Sequence, residues 1–231
     1  MSMESDFDRL KQIESDFDRL KLAVAEFLKN ESSGHDIFHA ERVFLLSKHL
    51  QTTEGGDLHV IGCAALVHDL CRPWEKRTKQ SHFGPAALEI IRKVLEQSAI
   101  MPDSIEKILA IVAEHDIYDW SEKNSEKSIE LQIVQDADNL DAIGAIGVAR
   151  TFMFGGHHGA PMYLPEEDLS FTQDFIDGAA KGTSVIAHFY EKLLKLSSQM
   201  NTATGKKIAI QRHTFMQTFL NQFFSEWNVQ L

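Results

Sequence analysis

The sequence predicts an all-α protein, and three observations carry that prediction. Apolar residues recur at i, i+3, i+4 and i+7 along most of the chain, the spacing of one buried helical face. No segment shows sustained period-two alternation, so no strand is expected. Proline and capping residues stand where helices would begin rather than inside them.

The elements follow in order. Residues 4–11 read Glu-Ser-Asp-Phe-Asp-Arg-Leu-Lys, and residues 14–21 repeat them identically. A period of ten matches no heptad, and two copies make no solenoid, so a local duplication that lengthens an N-terminal helix is expected. Residues 1–21 are therefore assigned as a leader, a helical extension, and 22–231 as one domain. Asp36 is placed to cap a helix whose inward stripe runs His39, Arg42, Val43, Leu46 and Leu50. Residues 51–57 read as a loop. Val60 to Val67 is an almost wholly apolar helix that closes on His68-Asp69.

Residues 71–84 are expected to be a loop, because Pro73 argues against a continued helix. Pro85 opens a helix carrying Leu88, Ile91, Val94 and Leu95. Asp103 and Glu106 form a capping-box pattern before Ile105, Ile108, Leu109 and Val112, and that helix ends at His115 and Asp116. Leu131, Val134, Asp138, Asp141 and Ala145 share a face of the next. Residues 155–184, rich in Gly and Pro, are the longest irregular stretch, with His157-His158 expected in a mobile lid. Two helical stretches finish the chain, one with Phe189, Leu193, Leu194 and Leu196, one with Phe215, Phe219, Leu220 and Phe223. Gly205 punctuates them.

Composition narrows the function. The formal charge of −11 argues against a general nucleic-acid binder, which needs a basic surface. No apolar run reaches the ~18–20 residues of a membrane span. The acidic start of the chain lacks the apolar core of a signal peptide. Two cysteines, Cys63 and Cys71, make no disulfide framework. A cytoplasmic protein is expected, with no membrane partner.

The chemistry gathers at His68-Asp69. An ionisable doublet at the end of an apolar helix is costly unless compensated, and a divalent cation compensates it. His39 and Asp138 supply matching donors on the core-facing stripes of two other helices, where helical bundles build metal sites. Singly, each residue reads as an ordinary buried histidine, helix terminus or surface charge; the combination outweighs those readings. Two imidazoles and two carboxylates suit Mn, Fe, Co, Ni or Zn, with Mg less at ease with nitrogen. Open coordination positions would remain for water and substrate. Just beyond lies a positive island, Arg72, Lys76, Arg77 and Lys79, a candidate phosphate clamp. Lys76 and Arg77 lead it, and His82 is a further candidate.

These segments resemble the HD-domain metal-dependent phosphohydrolases. The family pattern is His, His-Asp, Asp, with a His-x-x-Arg-Val and an Ala-Asp-x-Leu context. Here it reads His39-Ala40-Glu41-Arg42-Val43, His68-Asp69 and Ala137-Asp138-Asn139-Leu140. The resemblance extends to a bacterial single-domain subgroup of predicted hydrolases, through residues 34–39, 134–147 and 192–206, and covers the chain from about residue 22 onward.

It implies an HD-type helical domain holding one divalent ion, Mn first, with Mg, Co, Ni, Fe or Zn as alternatives. The implied ligands are His39, His68, Asp69 and Asp138. The implied reaction is hydrolysis of a phosphate ester or anhydride of a nucleotide, by a nucleotidase or a nucleoside triphosphate pyrophosphohydrolase. A catalytically weak module sensing nucleotide or metal is the alternative, and a cyclic-nucleotide phosphodiesterase the third reading. Some relatives carry an acidic residue three positions after the His-Asp aspartate; here Arg72 stands there, leaving Asp69 as the catalytic proton acceptor. Arg72, His115 and His35 join Lys76 and Arg77 as substrate contacts. Asp36 and Asp141 are expected behind the ligands. A homodimer is left open.

Overall fold

A computed structural model of the chain describes residues 3–31, 34–117, 127–171 and 183–230, with side chains from residue 7 onward. Every regular element among the described residues is helical, as the apolar spacing predicts. None of these helices is long and apolar enough to cross a membrane. The chain divides into two units: Met1–Tyr118 with Glu126–Gln135, and Asp119–Ser125 with Asp136–Leu231.

The first unit is built on α3 (Leu58–Val67), whose residues from Val60 to Val67 are all buried. A helix apolar on every side must be surrounded, and α3 packs against α1 (Met3–Phe27), α2 (Ile37–Glu54) and α6 (Pro102–Glu114). Asp57 caps it by accepting from the backbone N–H groups of His59 and Val60. Gly62 lets α1 come close, since a Cβ there would stand 2.5 Å from the Phe17 ring. Asp36 caps α2 as expected, accepting from His39 N at 2.9 Å.

Three details differ from expectation. Residues 72–78 form a short helix, α4 (Arg72–Thr78), where a loop was expected. The previous helix has already ended at Val67, and in the first turn of a new one the missing N–H of Pro73 has no bond to lose. After α5 (Pro85–Gln97), α6 starts at Pro102 with Met101 as N-cap and no side-chain cap. The capping box is thus not formed, and Glu106 pairs with Arg92 instead. Finally, α1 is the lengthened N-terminal helix expected of the duplication, but it runs on past the leader. The boundary drawn after residue 21 falls inside it, with Phe17 and Leu20 wholly buried.

The last helix of the first unit, α7 (Ile129–Asp141), continues into the second from Asp136 onward. There α8 (Gly144–His157) packs on α11 (Ala203–Trp227). Between them α9 (Val185–His188) passes through a π-helical turn (Phe189–Leu193) into α10 (Leu194–Leu196). His157 ends α8 and His158 caps it, so this pair closes a helix rather than sitting in a loop. Residues 172–182 of the expected irregular stretch lie outside the described residues. Gly205 lies inside α11, which Thr202 caps. Its missing Cβ leaves room for Asp136, whose buried carboxylate accepts from the backbone and side chains of Asn201 and Thr202.

Candidate metal centre

Helix ends bring the site together. α3 stops at Val67, and a turn closed by Arg72 N donating to Asp69 O at 3.0 Å carries the chain into α4. This turn holds His68 and Asp69, both buried. The start of α2 delivers His35 and His39, the turn before α5 delivers His82, and the end of α6 delivers His115 and Asp116.

Asp69 is the hub. Its Oδ2 lies 2.6 Å from His35 Nδ1, 3.4 Å from His39 Nε2 and 3.7 Å from His68 Nε2. Its Oδ1 accepts from Arg72 Nε at 2.9 Å and lies 3.4 Å from His82 Nε2 and 3.8 Å from His115 Nε2. Two clusters of donor atoms therefore share one carboxylate: His35, His39 and Asp69 on one side, Asp69, His82 and His115 on the other.

Protonation suits a cation. His68 Nδ1 lies 2.8 Å from the Ala65 carbonyl. A carbonyl only accepts, so Nδ1 bears the hydrogen and Nε2 carries the lone pair. That lone pair faces His39 Nε2 at 3.1 Å. A ligating histidine commonly donates its other N–H to a backbone carbonyl in this way. Burial would raise the Asp69 carboxyl, but the Arg72 guanidinium holds it well below the ordinary carboxylate range. Burial lowers His35 to about 4 despite the pull of Asp69, and burial followed by Arg72 lowers His82. Ionised carboxylate beside neutral imidazole is the state that binds metal.

The spacing fits as well. Bonds of about 2.1 Å put adjacent ligands of an octahedron about 3.0 Å apart and those of a tetrahedron about 3.4 Å apart. The separations among His39, His68 and Asp69 are 3.1, 3.4 and 3.7 Å; the first two match these spacings and the third is slightly longer. Histidine and aspartate donors grouped in this way could hold a divalent ion.

The other expected residues fall as follows. Arg72 donates to Asp69, to Asp116 Oδ2 at 2.9 Å and to Glu75 Oε2 at 3.3 Å, so carboxylates of the site bind its guanidinium. Lys76 pairs with Glu31 at 2.9 Å, and Arg77 is exposed. The positive island is thus partly neutralised inside the chain. His115 donates through Nδ1 to the Val112 carbonyl at 2.7 Å, and its buried Nε2 has no hydrogen-bond partner. Asp138 and Asp141 lie on α7 in the second unit, where Asp141 pairs with Arg150 at 3.0 Å.

The sequence alone assigns no site role to Asp116 or Glu75. Glu75 instead accepts from His82 N and lies 3.1 Å from His82 Nδ1. The missed signal was Pro73 as a helix start, which puts Glu75 one turn after Arg72.

The family model described as HD domain matches residues 37–143. YpgQ of Bacillus subtilis is 35% identical over 200 residues, 86% of this chain and 87% of that protein. Its crystal structure in complex with ADP superposes with a TM-score of 0.69 at 32% identity, covering 91% of this chain and 97% of that one. A structure from Lactobacillus plantarum gives a TM-score of 0.75 at 32% identity, over 94% of this chain and 99% of that one. An HD-superfamily hydrolase from Bacillus thuringiensis gives 0.70 at 35% identity, over 94% and 100%. Matching along nearly its whole length, with the His-Asp doublet at the hub of its buried site, the chain belongs to the HD-domain family.

Proposed function

We propose that the chain is a divalent-metal-dependent phosphohydrolase that cleaves a phosphate ester or anhydride bond of a nucleotide. The observation that carries this reading is the convergence of His39, His68 and Asp69 at ligand spacing. The ADP complex of YpgQ supports a nucleotide as the substrate class. Asp138 is the proposed fourth ligand, on the family pattern.

A bound divalent ion supplies positive charge to a phosphoryl oxygen and makes water more acidic. The chain's own groups do the rest. Asp69 both ligates and accepts the proton of the attacking water. Arg72 fixes the Asp69 carboxylate in place and keeps it ionised. His115, its Nε2 lone pair buried and unused, and His35 contact substrate phosphate, with Lys76 and Arg77 further out. Manganese is the proposed ion and the cytoplasm the proposed location.

The test is a product-resolved screen of nucleoside mono-, di- and triphosphates with Mn²⁺ or Co²⁺. Release of phosphate or pyrophosphate by wild type, lost in Asp69→Ala, supports the proposal. Tight nucleotide binding with no turnover across the panel would establish a sensor instead.

A further inference from the structure

The duplicated octapeptide is treated unequally by the fold. In the second copy Phe17 and Leu20 are wholly buried. In the first, Phe7 is 58% and Leu10 53% exposed. Geometry explains the difference. Ten residues of α-helix advance about 15 Å and fall about 80° short of three full turns. Two copies on one helix therefore face different ways, and one groove holds only one of them.

That groove recognises the octapeptide itself. The Phe17 ring meets Phe44 edge-on at 4.9 Å and stacks on His59 at 6.1 Å, over the space left by Gly62. Asp16 Oδ2 lies 3.0 Å from His59 Nε2. Arg19 Nε donates to Ser98 O at 3.2 Å. Glu14 pairs with Lys48 at 2.7 Å, and Lys21 Nζ sits 4.4 Å from the Phe44 ring centroid. Each of these contacts uses a side chain from residues 14–21, and each residue type recurs ten positions earlier.

We propose that the groove formed by α2, α3 and the end of α5 is a docking site for this octapeptide with two claimants. Residues 4–11 of the same chain take it when residues 14–21 leave. The second copy holds it in the resting chain because Ile13, Val24 and Leu28 are buried with it. After a ten-residue slip Glu14 would fall at the place of Val24, so the helix must break after Lys11. Residues 12–27 then become the connection to Leu28, across about 10 Å, the length of a seven-residue helix.

A double-mutant cycle tests this. Thermal unfolding and light-scattering mass are measured for wild type, Phe7→Asp, Phe17→Asp and the double variant. Phe7→Asp should leave Tm within about 2 °C, since it changes an exposed residue. Phe17→Asp should lose less than half of what the double variant loses, and the double should fall by roughly 10 °C or more. Hydrogen exchange of Phe17→Asp, compared with wild type, should show slower exchange in residues 4–11 and faster exchange in residues 14–21. A Phe17→Asp chain as unstable as the double variant, or unfolded, overturns the proposal. Recovery of Phe17→Asp only as a concentration-dependent dimer also overturns it, by assigning the groove to a second copy of the chain.

Discussion

Arg72 Nε and Asp69 Oδ1 lie 2.9 Å apart across the turn that ends α3, and the same guanidinium reaches Asp116 Oδ2, also at 2.9 Å, at the end of α6. The position three residues after the aspartate of the His-Asp doublet carries a cation. It serves the acid beside it by holding the Asp69 carboxylate in one orientation and in its ionised form. Arg72→Gln should therefore lower metal affinity or turnover about 10- to 100-fold, the usual cost of losing a group behind a ligand. Metal titration alongside kinetics checks this; unchanged values would assign the arginine to stability alone.

Removing the ion should lower thermal stability. A ligand that binds only the folded chain stabilises it by about 2.7 kcal/mol at a hundredfold excess over Kd. For a chain of this size that is a Tm difference of about 5–10 °C between Mn²⁺-loaded and EDTA-treated protein. His68→Gln should show little of that difference, measured by scanning calorimetry with metal analysis of the same samples.

Both thiols should be silent in the folded chain. Burial raises Cys71 to about 12 and Cys63 further. At pH 8 neither is the thiolate that reacts with a disulfide reagent. Labelling should wait on unfolding, and raising the pH from 7 to 9 should leave the native chain unlabelled while urea-unfolded chain reacts at once. Rapid labelling of native protein would contradict the packing described.

Gly62→Ala should destabilise the first unit by about 1–3 kcal/mol through overpacking, since its Cβ would meet the Phe17 ring at 2.5 Å and the Phe44 ring at 3.0 Å. Urea unfolding gives the number. A neutral substitution would mean that α1 moves away from α3 without loss.

Much of this could be read before any coordinates. Helix positions follow from local rules, because a buried face imprints its 3.6-residue period on the sequence. The doublet after Val67 stood out because charge at the end of an apolar run needs a partner. The short helix α4 is hard to read from sequence because a proline that would break a helix interior is equally at home in a first turn. The false capping box at Asp103 had the right spacing, yet Pro102 had already set the start of α6.

Residue types and their order along the chain were enough to specify an all-helical protein and to suggest His39, His68, Asp69 and Asp138 as a ligand set. Both properties rest on interactions within a few residues or on the chemistry of one side chain. The partners had to wait for the fold. Arg72 meets Asp116, and Lys76 meets Glu31, so a basic stretch that reads as a free phosphate clamp is partly engaged with acids far away in sequence. Packing likewise decided between two identical octapeptides, burying Phe17 and leaving Phe7 in solvent. Identical sequence cannot break that tie; only the position of the groove along the helix can.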